Sequence, residues 1–173
     1  TFRFINIGLV NEFAEIMSAM GIPADEVLKA AASKPYGFMP FHPNVGIGGH
    51  CIPVDPIYLQ ERGKKFGITS KYIALSEEIN HSMPKYVARR LIDEYGDIKG
   101  KHLLVVGVSY KADISDTRES PAKPFIESLK ELGAKVSWHD PLVPSWNGES
   151  SALVAGEYDL AVVLVAHSNL AMS

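Results

Sequence analysis

The 173-residue sequence has a single cysteine, Cys51, so no internal disulfide forms and any special role for that thiol is chemical. Such a chain suits a reducing compartment, and the cytoplasm is the expected location. No apolar run reaches the roughly 20 residues of a membrane-spanning helix, and residues 160–166 read instead as a buried strand. Positive charge is not in excess either. Seventeen Lys and Arg stand against 20 Asp and Glu for a formal net charge of -3, with the basic residues scattered, which argues against a nucleic-acid partner. No metal site is expected, because His50 beside Cys51 has no second ligand pair at zinc spacing. There is no internal repeat and no G-x-G-x-x-G. After the apolar stretch 103–108 the chain reads Gly107-Val108-Ser109-Tyr110-Lys111, which lacks the dinucleotide-binding spacing.

What is present is ordinary globular material, 46% hydrophobic and 21% charged, enough for one or two modest cores. Apolar residues at helical spacing over 2–20 (Phe2, Ile5, Leu9, Phe13, Ile16, Met20) predict a helix stopped by Gly21 and Pro23. A shorter helix is expected over 24–32, with Asp25 and Glu26 in its first turn. Helices are also expected over 57–66 and 69–95, with Pro84 placed to bend or break the second. The pattern changes after Gly96 and Gly100. A strand over 103–108, a helix opened by Ser120-Pro121 and closed by Gly133, and a strand over 135–138 make a βαβ unit. Residues 159–165 supply a third strand. The fold class is therefore α/β overall, an all-α domain over 1–97 followed by a partial Rossmann-like parallel domain over 98–173.

Between the second and third helices, residues 34–56 hold too many Gly and Pro for regular structure, yet remain apolar and aromatic, the composition of an ordered functional loop. At its end stands Gly46-Ile47-Gly48-Gly49-His50-Cys51-Ile52-Pro53-Val54-Asp55-Pro56. Glycines permit close backbone approach to a ligand, and the lone cysteine after them is a candidate nucleophile. The bland counterpart is an inert buried thiol, and for Asp55 a turn former before Pro56.

The segment GGHCIPVDP resembles the active-site signature of the UDP-glucose/GDP-mannose dehydrogenase family. NIGLVNE at 6–12 resembles the helix after that family's first domain. Residues 109–113 (SYKAD) and 116–121 (DTRESP) resemble the opening of its C-terminal domain. Together the motifs span essentially the whole chain.

The resemblance implies an enzyme that oxidises the C6 alcohol of a UDP-sugar to a carboxylate with two molecules of NAD, for surface polysaccharide synthesis. It makes Cys51 the nucleophile of a thiohemiacetal and then a thioester, and Asp55 the aspartate that positions water or relays a proton. Cys51, Val54 and Arg118 fall where the family meets NAD. Phe41, His42, Asn44, Gly46, Gly48 and Lys111 fall where it meets the UDP-sugar. Phe38, Met39 and Phe41 are equally readable as core or dimer-interface residues, Lys111 and Arg118 as solvated surface cations, and Asp140 as a turn former before Pro141.

The resemblance also implies a homodimer through the long central helices, and a chain that is a piece of a longer protein, without the main NAD-binding domain and inactive alone. Residues 34–41 look most like members acting on UDP-N-acetylglucosamine, then UDP-N-acetylmannosamine, then UDP-glucose. The reading from another class is a catalytically inactive UDP-sugar-binding or dimerisation module.

Overall fold

A computed structural model describes residues 1–168; residues 169–173, the tail of the second domain expected from sequence, lie outside the described residues. The elements run α1 (Phe2–Ala19), α2 (Ala24–Ala32), α3 (Asp55–Lys64), α4 (Lys71–Tyr95), β1 (His102–Val106), α5 (Ala122–Glu131), β2 (Lys135–His139), β3 (Ser145–Trp146), β4 (Glu149–Ser150) and β5 (Leu160–Val163). They fall into two compact units. One comprises Thr1–Ile47 and Cys51–Met83, the other Gly48–His50 and the described residues from Pro84 onward.

The first unit is helical. α1 stops where Gly21 takes a φ of 69°, and α2 begins after Pro23 with Asp25 and Glu26 beside its positive end. Gly8 lets α1 come close to α4: a Cβ there would sit 3.0 Å from the Ser76 Cβ. One turn on, the fully buried Asn11 donates from Nδ2 to Asn80 Oδ1 at 2.9 Å. Two buried amides thus satisfy each other, which keeps their desolvation affordable. Phe4, Val10, Leu28, Val45, Ile73 and Met83 form the apolar interior.

The second unit holds a parallel sheet in the order β2-β1-β5, with Leu103 opposite both Val136 and Leu160. As the central strand, β1 is apolar almost throughout, and Leu103, Leu104 and Val105 are fully buried. α5 presents Ala122, Phe125, Ile126 and Leu129 at helical spacing, and all four are buried.

The expected mixed α/β architecture with a parallel sheet is what is found. Several local expectations need correction. β1 ends at Val106, because Gly107 turns the chain with a φ of 84°. α3 starts at Asp55, ahead of the expected residue 57, with Pro56 in its first turn. Pro84 lies inside a continuous α4 without ending it. Phe38 and Met39 are exposed and not core, while Phe41 is half-buried and meets Phe2 edge-on at 5.9 Å. The hairpin β3–β4 is an element that the apolar pattern of the sequence does not predict. Asn147 and Gly148 both take positive φ at its tip, the conformation that an Asn-Gly pair favours.

Candidate functional site

The Gly- and Pro-rich loop is anchored at Asn44. Its backbone N–H donates to Asn11 Oδ1 at 2.8 Å, and its own Oδ1 accepts the N–H of Val45 at 2.7 Å. The buried amide pair of the helices therefore also fixes the loop. Val45 and Gly46 are buried there, Gly46 at a φ of 145°, and His42 is exposed.

Residues Gly48–His50 belong to the second unit. A Cβ on Gly48 would lie 2.5 Å from the Tyr110 Cβ and 3.0 Å from the Glu119 carbonyl oxygen. Gly49, at a φ of 93°, lies under the Tyr110 ring and donates its N–H to the Arg118 carbonyl at 3.0 Å. Both positions require glycine, the first for space and the second for conformation as well.

Cys51 follows at once and is exposed rather than buried. Its carbonyl accepts the N–H of Asp55 at 3.0 Å, so one turn separates the two residues. The Val54 carbonyl accepts the N–H of Ile57 at 3.0 Å, and that turn runs directly into α3. Asp55, the first residue of α3, is also exposed. The local geometry thus places an exposed thiol and an exposed carboxylate one turn apart at a helix start.

In the second unit Lys111 is exposed on the segment after β1. Arg118 Nε donates to both carboxylate oxygens of Asp116 at 3.0 Å, and the Arg118 backbone N–H donates to Asp116 Oδ1 at 3.0 Å. The side-chain bonds from Arg118, then its backbone N–H, hold the Asp116 carboxyl down at about 2. Arg118 is thus a cation held in a set orientation by Asp116, rather than a loose surface charge.

Asp140 is more than a turn former. It does make the turn, with Oδ1 accepting the Leu142 N–H at 2.9 Å. But it is buried, and its Oδ2 accepts the N–H groups of Val108 and Ser109 at 2.8 and 3.0 Å and faces His167 Nε2 at 3.1 Å. Burial alone would raise its pKa; the bonds from Leu142, Ser109, His167 and Val108 outweigh it and leave the pKa lowered. Sequence reasoning missed His167 and Ser109 here, and Asn11 and Asn80 in the first unit. The one signal available was an Asp at the end of a strand.

This carboxylate bears directly on dinucleotide binding. In a nucleotide-binding βαβ turn the first amides after the strand face pyrophosphate. Here the amides of Val108 and Ser109 are taken by Asp140, and a Cβ on Gly107 would lie 2.3 Å from the Val165 carbonyl oxygen. The turn after β1 does not fit a dinucleotide. Among the described residues no group of three or more His, Cys, Asp or Glu side chains is placed to hold a metal ion, and no helix is long and apolar enough to cross a membrane. Of the expected site residues, Phe41, His42, Asn44, Gly46, Cys51, Val54 and Asp55 belong to the first unit, and Gly48, Lys111 and Arg118 to the second.

Known proteins give a consistent comparison. Residues 1–82 match the model for the central domain of the UDP-glucose/GDP-mannose dehydrogenase family, and residues 104–172 match that for its UDP-binding domain. The UDP-N-acetyl-D-mannosamine dehydrogenase of Methanococcus vannielii is 36% identical over 172 residues, covering 97% of this chain and 39% of that protein. The UDP-N-acetyl-D-glucosamine 6-dehydrogenase of Pseudomonas aeruginosa is 33% identical over 179 residues, covering 97% and 42%. Among solved structures, the UDP-D-ManNAc dehydrogenase of Pyrococcus horikoshii superposes with a TM-score of 0.81 at 31% identity, over 96% of this chain and 40% of that one. The chain thus spans about two fifths of the length of these relatives.

Proposed function

The chain belongs to the UDP-glucose/GDP-mannose dehydrogenase family, and from that premise we propose that it is the central and UDP-binding part of an NAD-dependent UDP-sugar 6-dehydrogenase. The observation that carries the proposal is the exposed Cys51 one turn before Asp55, directly after two glycines that admit no side chain. A substrate aldehyde needs such an accessible thiol.

In this reading Cys51 Sγ adds to the C6 aldehyde, forming a C–S bond while the carbonyl oxygen takes up a proton. Oxidation of the alcohol to the carboxylate releases two hydrides, for which NAD would supply the acceptor. Water then attacks the resulting thioester, the C–S bond breaks, and the carboxylate and the thiol are released. Asp55 is proposed to orient that water and take its proton. Val54 and Arg118 are proposed to touch the dinucleotide. Phe41, His42, Asn44, Gly46, Gly48 and Lys111 are proposed to hold the UDP-sugar, Lys111 by meeting phosphate oxygens.

The substrate is proposed to be a UDP-N-acetylhexosamine, UDP-N-acetylglucosamine first, on the resemblance of residues 34–41. The setting is cytoplasmic synthesis of surface polysaccharide precursors. A homodimer is proposed as well. Phe2, Leu9, Phe13 and Ile16 are all exposed and lie along one narrow stripe of α1, continued by the exposed Met20 at its C-cap, which a second copy would cover. The 173 residues alone are proposed to bind UDP without turning over.

The test is NADH formation by the complete gene product from UDP-N-acetylglucosamine, UDP-N-acetylmannosamine and UDP-glucose. Two NADH per sugar from an N-acetylhexosamine supports the proposal. Turnover of none of the three removes it.

A further inference from the structure

The turn that carries Lys111 is held at both ends by one buried imidazole. His167 follows β5 and its side chain has no exposed surface. Its Nδ1 accepts the N–H of Asp113 at 2.9 Å, so the proton of the neutral ring is on Nε2. Nε2 lies 3.1 Å from Asp140 Oδ2 and 3.2 Å from Ser109 Oγ. The Ser109 hydroxyl in turn donates to the Lys111 carbonyl at 3.0 Å, leaving its oxygen as the acceptor toward His167.

The turn is therefore fixed at three points. Its first amides, Val108 and Ser109, are bonded to Asp140. Its middle carbonyl, that of Lys111, is held through Ser109. Its far amide, that of Asp113, is held by His167. Asp113 sits at a φ of 63°, a left-handed conformation that a non-glycine residue adopts at a cost. Its carboxylate accepts the Ser168 N–H at 2.8 Å and the Ser168 hydroxyl at 2.9 Å, which binds the strained residue to the neighbour of His167. A doubly protonated ring would point an N–H at the Asp113 N–H and release that end.

We infer that His167, as the neutral Nε2–H tautomer, is a positioning residue for Lys111. It locks the 109–113 turn between Asp140 and Asp113 and so sets where the ammonium group of Lys111 meets an anionic ligand. The inference rests on the reading above in which Lys111 meets the phosphates of a UDP-sugar, and the ligand used to probe it is UDP.

The experiment uses the full 173-residue chain as wild type, His167→Ala, His167→Asn, Lys111→Ala and the His167→Ala/Lys111→Ala double variant. UDP affinity is measured by calorimetry, amide exchange at Asp113 by NMR, and the ring tautomer by imidazole 15N shifts. His167→Ala should weaken UDP binding about tenfold when Lys111 is present and change it by less than about twofold when Lys111 is absent. The Asp113 amide should lose protection while Leu104 and Val105 in β1 keep theirs. His167→Asn, whose Oδ1 stands in for Nδ1, should restore both. Equal losses of affinity in both backgrounds, or an Nδ1–H tautomer in the wild type, would overturn the inference. Should Lys111→Ala leave UDP affinity unchanged while Asp113 protection still depends on His167, the nucleotide role of Lys111 fails and the fixing of the turn by His167 stands.

Discussion

Gly49 donates its backbone N–H to the carbonyl oxygen of Arg118 at 3.0 Å, with the Tyr110 ring lying over the glycine. This bond ties the residues immediately before Cys51 to the segment that carries Arg118. Within the second unit, Gly48 and Gly49 are small because Tyr110 and the Glu119 carbonyl occupy the space their side chains would need.

Gly48 should accordingly be intolerant of even one methyl group. In Gly48→Ala the new Cβ would be 2.5 Å from the Tyr110 Cβ, which is attached to backbone and cannot swing away as a flexible chain end would. Urea denaturation should show a loss of about 1–3 kcal/mol. A variant as stable as the parent would mean that this packing is absent in solution.

The paired amides of the first unit give a second expectation. Asn11→Leu leaves Asn80 Oδ1 without its donor and the Asn44 N–H without its acceptor. The loss should be about 1–3 kcal/mol, with faster proteolysis of the 38–48 loop. Asn6→Ala, on the same helix with its half-buried side chain donating to the Phe2 carbonyl at 2.8 Å, should stay within about 0.5 kcal/mol. Equal effects of the two substitutions would contradict the anchoring role of Asn11.

For Asp116 the expectation concerns pH. Its folded pKa is depressed, so its contribution to stability is present above the unfolded value of about 4 and is lost as pH falls toward about 2. A carboxylate 13C titration should place its midpoint near 2, and Arg118→Ala should move the midpoint up toward the ordinary range. A wild-type midpoint near 4 would mean that the Arg118 pairing is not maintained in solution.

The exposed stripe on α1 gives an association test. Size-exclusion chromatography with light scattering at micromolar concentration should find a dimer, and Phe13→Glu with Ile16→Glu should convert it to a monomer that keeps its helical content. A wild-type monomer under those conditions would leave the stripe without the partner proposed for it.

Much of this was legible in the sequence because it is local. The helix over 24–32 is legible to its observed ends, since Pro23 and the acidic first turn mark the start within a few residues. The parallel sheet followed from apolar runs separated by one amphipathic helix. The Cys51 segment is legible through Gly46, Gly48 and Gly49 standing just before the single cysteine. The polar networks were not legible, because their partners are far apart along the chain. Asn11 meets Asn80 and Asp140 meets His167 only after the chain has folded. Asp140 reads in sequence as the turn former it is, but nothing near it announces the two amides that it takes. The Asn147-Gly148 tip did carry a hairpin signal, obscured by flanking strands of only two residues each.

The most direct test of the account is the NADH yield per UDP-sugar of the complete gene product carrying Cys51→Ala, compared with its parent. The account predicts two NADH per sugar from the parent and no more than one from the variant, because without Sγ the aldehyde cannot be carried through the thioester. Two NADH per sugar from Cys51→Ala would show that the second oxidation does not pass through this thiol.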